Sequence, residues 1–347
     1  MKRLVAIFIL IPILLSATAI AEINLGMMEE LVLPMRSFHA VYAMDDGGFF
    51  LAGIAANGSI HDNTLFVRID RERNEIWRAN NPLNARGAWV ISAALLSNGN
   101  IALLQQTDTS RYTLHVVHNG GILYSEDLAF GDEQVWPELF NAGTGFFLYY
   151  GERRYRDKLG GTFHEPAIEY RTPDGSVVWK HIFEDYEARI MGALPVEGGH
   201  ILYGTTEEQK TGERYGESFL AKVDHTGVIR WVKTERGKND RWRNYAGEGI
   251  LREDGSFVLA GSITHLAKDG YPSAGLLAEF DGEGNKMWEE TYKPSDKEFY
   301  DILGTAPIED GYIILAEEVG YRMPSDIIRV DRQGKILETT QIEWNQN

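Results

Sequence analysis

The sequence predicts an all-β fold, a six-bladed β-propeller of four-stranded antiparallel blades, and three observations predict it. One paragraph of sequence is written six times: a turn, an apolar run, a polar stretch, a second apolar run, a tight turn and a strand carrying an aromatic residue. Repeats of this size in an all-β pattern mark propellers or stacked arrays. No stretch holds a 3.6-residue apolar period for three turns, so helices are not expected. The fifth copy is the clearest, with Asp254-Gly255-Ser256-Phe257-Val258-Leu259, then Leu276-Leu277-Ala278-Glu279-Phe280, then Lys286-Met287-Trp288.

Each copy opens with a short turn between its first two strands. The openers are Asp46-Gly47-Gly48, Asn98-Gly99-Asn100, Gly143-Thr144-Gly145, Glu197-Gly198-Gly199, Asp254-Gly255-Ser256 and Asp310-Gly311-Tyr312. Gly, Asn and Asp tolerate the positive φ that such hairpin turns need. A first strand with small residues precedes most openers: Ala40 and Ala43, Ala93 and Ala94, Gly192 and Ala193, Gly247 and Gly249, Gly304 and Ala306. Small side chains suit the crowded centre of a radial array. Pro137 to Ala142 of the third copy fits this less well. Third strands are expected at 65–69, 112–117, 167–171, 219–223, 276–280 and 327–330. Fourth strands carry Trp77, Tyr124, Trp179, Trp231, Trp288 and, in the last copy, Leu337. Residues 37–347 then form one propeller domain. Residues 22–36 lie outside the repeats, and Leu31-Val32-Leu33 is a candidate outer strand for the last blade, which would cover an edge. Seven blades, one of them degenerate, is the alternative count.

The first 21 residues read as a secretory signal peptide. Lys2 and Arg3 precede an apolar run from Leu4 to Leu15, and Ala19-Ile20-Ala21 offers a small-residue cleavage pattern. The expected location is extracytoplasmic: secreted, periplasmic or attached to the envelope, with no membrane span after cleavage. Cysteine is absent, which excludes disulfides and a lipid anchor on a terminal cysteine. Acidic residues number 51 against 34 basic ones, a formal charge of −17. Such a surface repels phosphate backbones and anionic lipid, so nucleic acid is not an expected partner.

Asp224-His225-Thr226-Gly227-Val228-Ile229-Arg230-Trp231 and Asp281-Gly282-Glu283-Gly284-Asn285-Lys286-Met287-Trp288 share the pattern D-x-x-G-x-x-x-W. This resembles the bacterial exported propeller repeats of the quinoprotein-like (PQQ-like) type, whose fourth-strand tryptophan docks each blade on its neighbour. The resemblance extends over all six copies, weakly in the second and last. The fourth copy, with Ala221 ahead of Asp224, departs by one residue from the docking motif of quinoprotein alcohol dehydrogenases. Those enzymes have eight blades and often a vicinal cysteine pair, which this chain lacks. The resemblance therefore implies the architecture without the quinone, and no cofactor is expected.

The fourth-strand aromatics Trp77, Tyr124, Trp179, Trp231 and Trp288 recur at one place, as interblade packing demands, so they are expected in the core and not as sugar platforms. Function is sought on the connections between second and third strands and between blades, which read as long and rich in Tyr, Arg, His and Trp. Long polar loops on a rigid scaffold are where binding residues collect. The candidates are Arg153, Arg154 and Tyr155, Tyr215, Tyr271, Tyr321, and the basic aromatic stretch containing Arg241, Trp242, Arg243 and Tyr245. Guanidinium groups fork onto carboxylates and aromatic rings stack on sugars. The bland alternatives are loops paired with acidic neighbours and phenols packing their own loops.

Four further groups carry less. His61, His164 and His265 sit on corresponding loops, but no constant acidic partner accompanies them, so no metal site is expected. His115 and His118 are three apart on a strand and point to opposite faces. Asp62, Glu165, Glu217 and Asp326 lead third strands, where turn capping explains them better than catalysis. Thr172 to Trp179 half resembles a sialidase Asp-box, with Ser176 where glycine belongs. No nucleophile stands beside an activating partner in the motifs. The expected function is non-catalytic binding of a polymer, peptide or protein on the long-loop face. The alternative is an enzyme acting on a glycan or another anionic polymer, with carboxylates converging beside Arg or His.

Overall fold

The computed structural model describes residues 35–341 apart from 44–47, 56–63, 73, 81–88, 109–110, 120, 131–136, 157–161, 184–187, 211–212, 237–240, 246–248, 266–272, 294–299 and 319–323. Residues 1–34, which hold the expected signal peptide and the candidate strand Leu31-Val32-Leu33, lie outside the described residues. Every described element is a strand. No helix among the described residues is long and apolar enough to cross a membrane. The chain divides into two compact units, Met1–Ile182 and Phe183–Asn347.

The first unit holds three antiparallel sheets, each paired in chain order. They are β1 (Met35–Ala43), β2 (Phe49–Ala55), β3 (Thr64–Ile69) and β4 (Glu75–Asn80); β5 (Trp89–Leu95), β6 (Ile101–Asp108), β7 (Arg111–His118) and β8 (Gly121–Ala129); and β9 (Glu138–Asn141), β10 (Phe146–Arg156), β11 (Thr162–Arg171) and β12 (Val177–Ile182). The second unit holds the other three. β13 (Ala188–Val196), β14 (Gly199–Lys210), β15 (Glu213–Asp224) and β16 (Ile229–Arg236) form the fourth sheet. The fifth has β17 (Arg241–Asn244), β18 (Gly249–Leu251), β19 (Phe257–His265), β20 (Ser273–Phe280) and β21 (Lys286–Tyr292). The sixth has β22 (Tyr300–Ile308), β23 (Gly311–Glu318), β24 (Pro324–Asp331) and β25 (Ile336–Gln341). The six sheets match the six copies, and no seventh occurs among the described residues. In the fifth sheet the first strand is split: β17 and β18 both pair with β19, at Arg241↔His265 and Gly249↔Leu259.

The D-x-x-G pattern is the turn between third and fourth strands. Asp224 Oδ1 accepts the amides of Thr226 (2.8 Å) and Val228 (3.0 Å) and the Thr226 hydroxyl (2.7 Å). The Thr226 hydroxyl bond leads the causes that hold its carboxyl well below the usual carboxylate range. Asp281 and Asp331 make the same pair of amide bonds, two and four residues on. The glycine that follows each acid has positive φ, the left-handed residue that closes a turn with a bulge. The Asp-box-like stretch is another such turn: Asp174 accepts the Ser176 amide and Gly175 takes φ 88°.

Within each unit the core lies between successive sheets, because alternate residues of a strand point to opposite faces. Leu104, Leu114 and Val116 of the second sheet meet Phe146, Leu148 and Ala167 of the third. Phe50 and Phe66 of the first meet Leu103 and Val117 of the second. In the second unit, Leu220 meets Leu259 and Leu276, and Leu277 meets Ile314 and Ile328. The fourth-strand aromatics add to this at the turn glycines. A Cβ at Gly284 of the fifth sheet would lie 2.5 Å from the Trp231 ring, and one at Gly334 of the sixth 2.7 Å from the Trp288 ring. Tyr124 of the second sheet fills the same space at Gly175 of the third. Trp77 and Trp179 rest on Phe50 and Phe147, at ring distances of 6.0 and 5.6 Å. The motif thus links its two ends across sheets: the glycine of one turn leaves room for the aromatic of the sheet before it.

Three expectations need correction. Leu337 does not occupy the aromatic position. Glu338 pairs with Arg329 as Trp288 pairs with Glu279, and Leu337 is 52% exposed. The bulge at the turn accounts for the one-residue slip. Second, the connections between second and third strands are not uniformly long loops. Only residues 109–110 separate β6 from β7 and 211–212 separate β14 from β15, and the polar stretches are mostly paired strand. Third, Asp326, expected as a turn cap, lies within β24 and is buried, and its Oδ2 accepts the Tyr300 hydroxyl at 2.8 Å.

Candidate functional site

Backbone pairing sets where most of the predicted binding residues lie. Arg153, Arg154 and Tyr155 ride on β10, in register with Glu165, His164 and Phe163 of β11. They occupy the end of the third sheet where its second and third strands join. Tyr215 lies at the corresponding end of the fourth sheet, opposite Glu208. Arg241, Trp242 and Arg243 form β17, opposite His265, Thr264 and Ile263, and β17 runs beside β15. Tyr215 and the Arg241–Arg243 strand are therefore carried by neighbouring strands of the second unit. Tyr271, Tyr321, His61 and Asp62 fall outside the described residues.

Tyr245 is a correction. It is fully buried, with its ring at 5.7 Å and 90° to Phe280. It follows β17 where the chain turns inward, so its ring joins the core and is not open to a ligand. Lys233 of β16 is engaged with the neighbouring sheet. Its ammonium bonds the Glu283 carbonyl (2.5 Å) and Asn285 Oδ1 (2.8 Å) in the next sheet's turn. His115 and His118 do face opposite ways. His115 is buried between Ser125 Oγ (2.7 Å) and Gln105 Oε1 (3.2 Å), while His118 is exposed. Among the described residues no three His, Cys, Asp or Glu side chains come close enough to hold a metal ion.

The first unit contains a polar site that sequence reasoning missed. Arg171 is buried between the second and third sheets, and its Nε and Nη2 donate to Glu169 Oε2 at 2.9 and 2.7 Å. Its Nη1 donates to Glu126 of β8 and to the Gly175 carbonyl (3.0 Å). The Tyr150 hydroxyl donates to Glu169 Oε1 at 2.6 Å, and the Tyr124 hydroxyl to Glu126 Oε2 at 2.7 Å. Burial opposes the Arg171 charge, but the two carboxylates outweigh it and hold its pKa above the ordinary value. Lys180 places its ammonium 5.2 Å over the Tyr150 ring, and Phe130 packs on that ring at 4.5 Å. Glu126, Phe130, Tyr150, Glu169, Arg171 and Lys180 line a cavity of about 480 Å³ with Asp127, Leu128, Leu148 and Gly151.

The signal for this site lies in the columns of the repeat. The bulge register aligns Arg171 with Ile69, Val117, Val223, Phe280 and Val330, all buried and apolar. Two residues earlier, Glu169 stands where four copies have Val67, Ala221, Ala278 and Ile328 and the second copy has His115. Charge in an apolar column marks the third copy as different.

No family model and no curated protein matches the chain. Solved structures similar to it include the extracellular domains 1–2 of Drosophila semaphorin 1a, at 10% identity over 88% of this chain and 78% of that one, with a TM-score of 0.50. A variant of Synechocystis apocarotenoid oxygenase aligns at 11% identity, covering 85% of this chain and 70% of that one, with a TM-score of 0.48. An uncharacterized Listeria monocytogenes protein, lmo1340, aligns at 10% identity over 88% and 82%, with a TM-score of 0.46. At these identities the likeness speaks of fold alone. With the six sheets, the semaphorin alignment shows an all-β, six-bladed β-propeller.

Proposed function

We propose that this propeller is a non-catalytic, extracytoplasmic binding module that recognises a polymer, peptide or protein at the sheet ends where second and third strands join. One observation carries the reading: its basic and aromatic candidates sit on paired strands. Arg153 to Tyr155 are held by β11, and Arg241 to Arg243 by β19. Groups fixed by a backbone ladder lose less freedom when a ligand arrives than groups on open loops. In a chain of charge −17, cations grouped on such strands are suited to carboxylate, phosphate or sugar groups. The opposite sheet ends are tight turns whose carboxylates are spent on their own amides.

The repeats are read as quinoprotein-like in type and used without the quinone. Lys2, Arg3, the apolar run and Ala21 support export, and the mature chain would then begin at Glu22. The alternative, an enzyme on a glycan or other anionic polymer, needs carboxylates free to react. Glu169 has both oxygens engaged, by Tyr150 and Arg171.

The test is a binding screen on arrayed polysaccharides, peptides and secreted proteins, with two triple variants beside the wild type. Arg153→Ala/Arg154→Ala/Tyr155→Ala and Arg241→Ala/Trp242→Ala/Arg243→Ala should keep the wild-type melting temperature, and at least one should lose capture. Undiminished capture by both would remove these strands from recognition.

A further inference from the structure

We propose that the cavity between the second and third sheets of the first unit is a separate site for a neutral carbohydrate or polyol. Glu126, Glu169, Arg171 and Lys180 supply its polar contacts, and Tyr150 and Phe130 border it with a narrow apolar edge. Its volume, about 480 Å³, falls within the range of small-ligand sites. Two features of the lining choose the ligand.

The first is charge balance. Glu126, Asp127 and Glu169 face Arg171 and Lys180, so the charges nearly cancel within the wall. A strongly charged ligand would leave one of them unmatched in a partly dry site, at high cost. A hydroxyl both donates and accepts, so neighbouring hydroxyls can bond a carboxylate and an ammonium together without adding charge. Charge-assisted bonds of this kind are the stronger ones. The second feature is the pair of rings: Phe130 and Tyr150 pack on each other at 4.5 Å with Lys180 over Tyr150, so only their edges add a narrow apolar strip to a mostly polar wall. A sugar has the same two characters, hydroxyl edges and a C–H face.

The repeat itself supplies an independent reason to regard the site as built. Packing at these columns is met elsewhere by Ala221 with Val223 and by Ala278 with Phe280, all buried. A buried ion pair is rarely better for stability than the apolar pair that replaces it. Stability alone therefore does not account for Glu169 and Arg171. Glu126, whose side chain is 36% exposed, brings the network to the solvent edge, where a ligand would first meet it. The hydroxyls of Tyr124 and Tyr150 hold the two carboxylates in place, so the site is organised before anything binds.

The proposal is tested by calorimetric titration of the purified protein with glucose, galactose, mannose and glycerol, and with glucuronate and spermidine as charged comparators. The wild type should bind at least one neutral sugar more tightly than either comparator. Glu169→Ala/Arg171→Val copies the pair of the fourth sheet; it should remain folded and weaken that sugar at least tenfold. Glu126→Gln, nearly the same size, should also weaken it and guards against misfolding of the double variant. The Arg241→Ala/Trp242→Ala/Arg243→Ala variant should bind the sugar as the wild type does, which separates this site from the sheet-end surface. Preference for glucuronate or spermidine, no binding of any neutral probe at about 10 mM, or full binding by Glu126→Gln would overturn it.

Discussion

Replacing Gly284 by alanine tests the link between a turn and the aromatic of the preceding sheet. Gly284 has φ 71°, and a Cβ there would meet the Trp231 ring at 2.5 Å. Gly255 is the matched control: its φ is 83°, and nothing lies within 4 Å of its Cβ position. Both substitutions incur the left-handed backbone cost of about 1–2 kcal/mol. Only Gly284→Ala must also displace a packed ring, which adds about 1–3 kcal/mol as overpacking. Urea unfolding followed by far-ultraviolet circular dichroism should therefore place Gly284→Ala below Gly255→Ala by that second amount. Trp231→Ala alone should cost about 3 kcal/mol, the low end for a large aromatic because the ring is half-buried. In that background the excess at Gly284 should vanish, a coupling that a double-mutant cycle reads directly. Equal losses for the two glycines, or an excess that survives removal of the ring, would refute the reasoning.

Other outcomes follow from the buried polar groups. Arg171→Met strands Glu126 and Glu169 and should cost about 3–5 kcal/mol, whereas Glu169→Ala/Arg171→Val should unfold at or above the wild-type denaturant midpoint. Glu279, 3% exposed, accepts Arg252 and Trp288 at 2.5 Å and Ser256 at 2.8 Å, so Glu279→Ala should lose about 3 kcal/mol in the same assay. Burial pulls His115 down to about 4, against the opposing influence of Asp127. The unfolded chain then takes up this proton first as pH falls from about 6.5 to about 4, so stability drops across that window. The loss approaches about 3 kcal/mol and levels off below it. His115→Gln should flatten that part of the pH–stability curve; an unchanged slope would exclude His115 as its source.

The repeat made the fold legible. Turn glycines such as Gly227, Gly284 and Gly334 need positive φ and stand at fixed distance from the acid that accepts their turn's amides. Strand limits were less legible, because 206–217 carries no aliphatic residue and backbone pairing alone extends β14 and β15. Arg241 to Asn244 reads as a loop until β19 is seen to run on to His265, which leaves a partner for it. Tyr245 looked like its basic neighbours in sequence, yet one residue past the strand is enough to put it in the core. The Glu169–Arg171 pair was visible only as polarity in an apolar column, a signal that needs copies aligned by the bulge and not by their glycines.

Amide hydrogen exchange, with and without a saturating ligand from the binding screen, tests recognition at the sheet ends most directly. Protection is predicted at 150–156 and 162–166, or at 206–217 and 241–244, with the turns at 224–228 and 281–285 unchanged. Protection concentrated in those turns, with the strand ends unaffected, would contradict it.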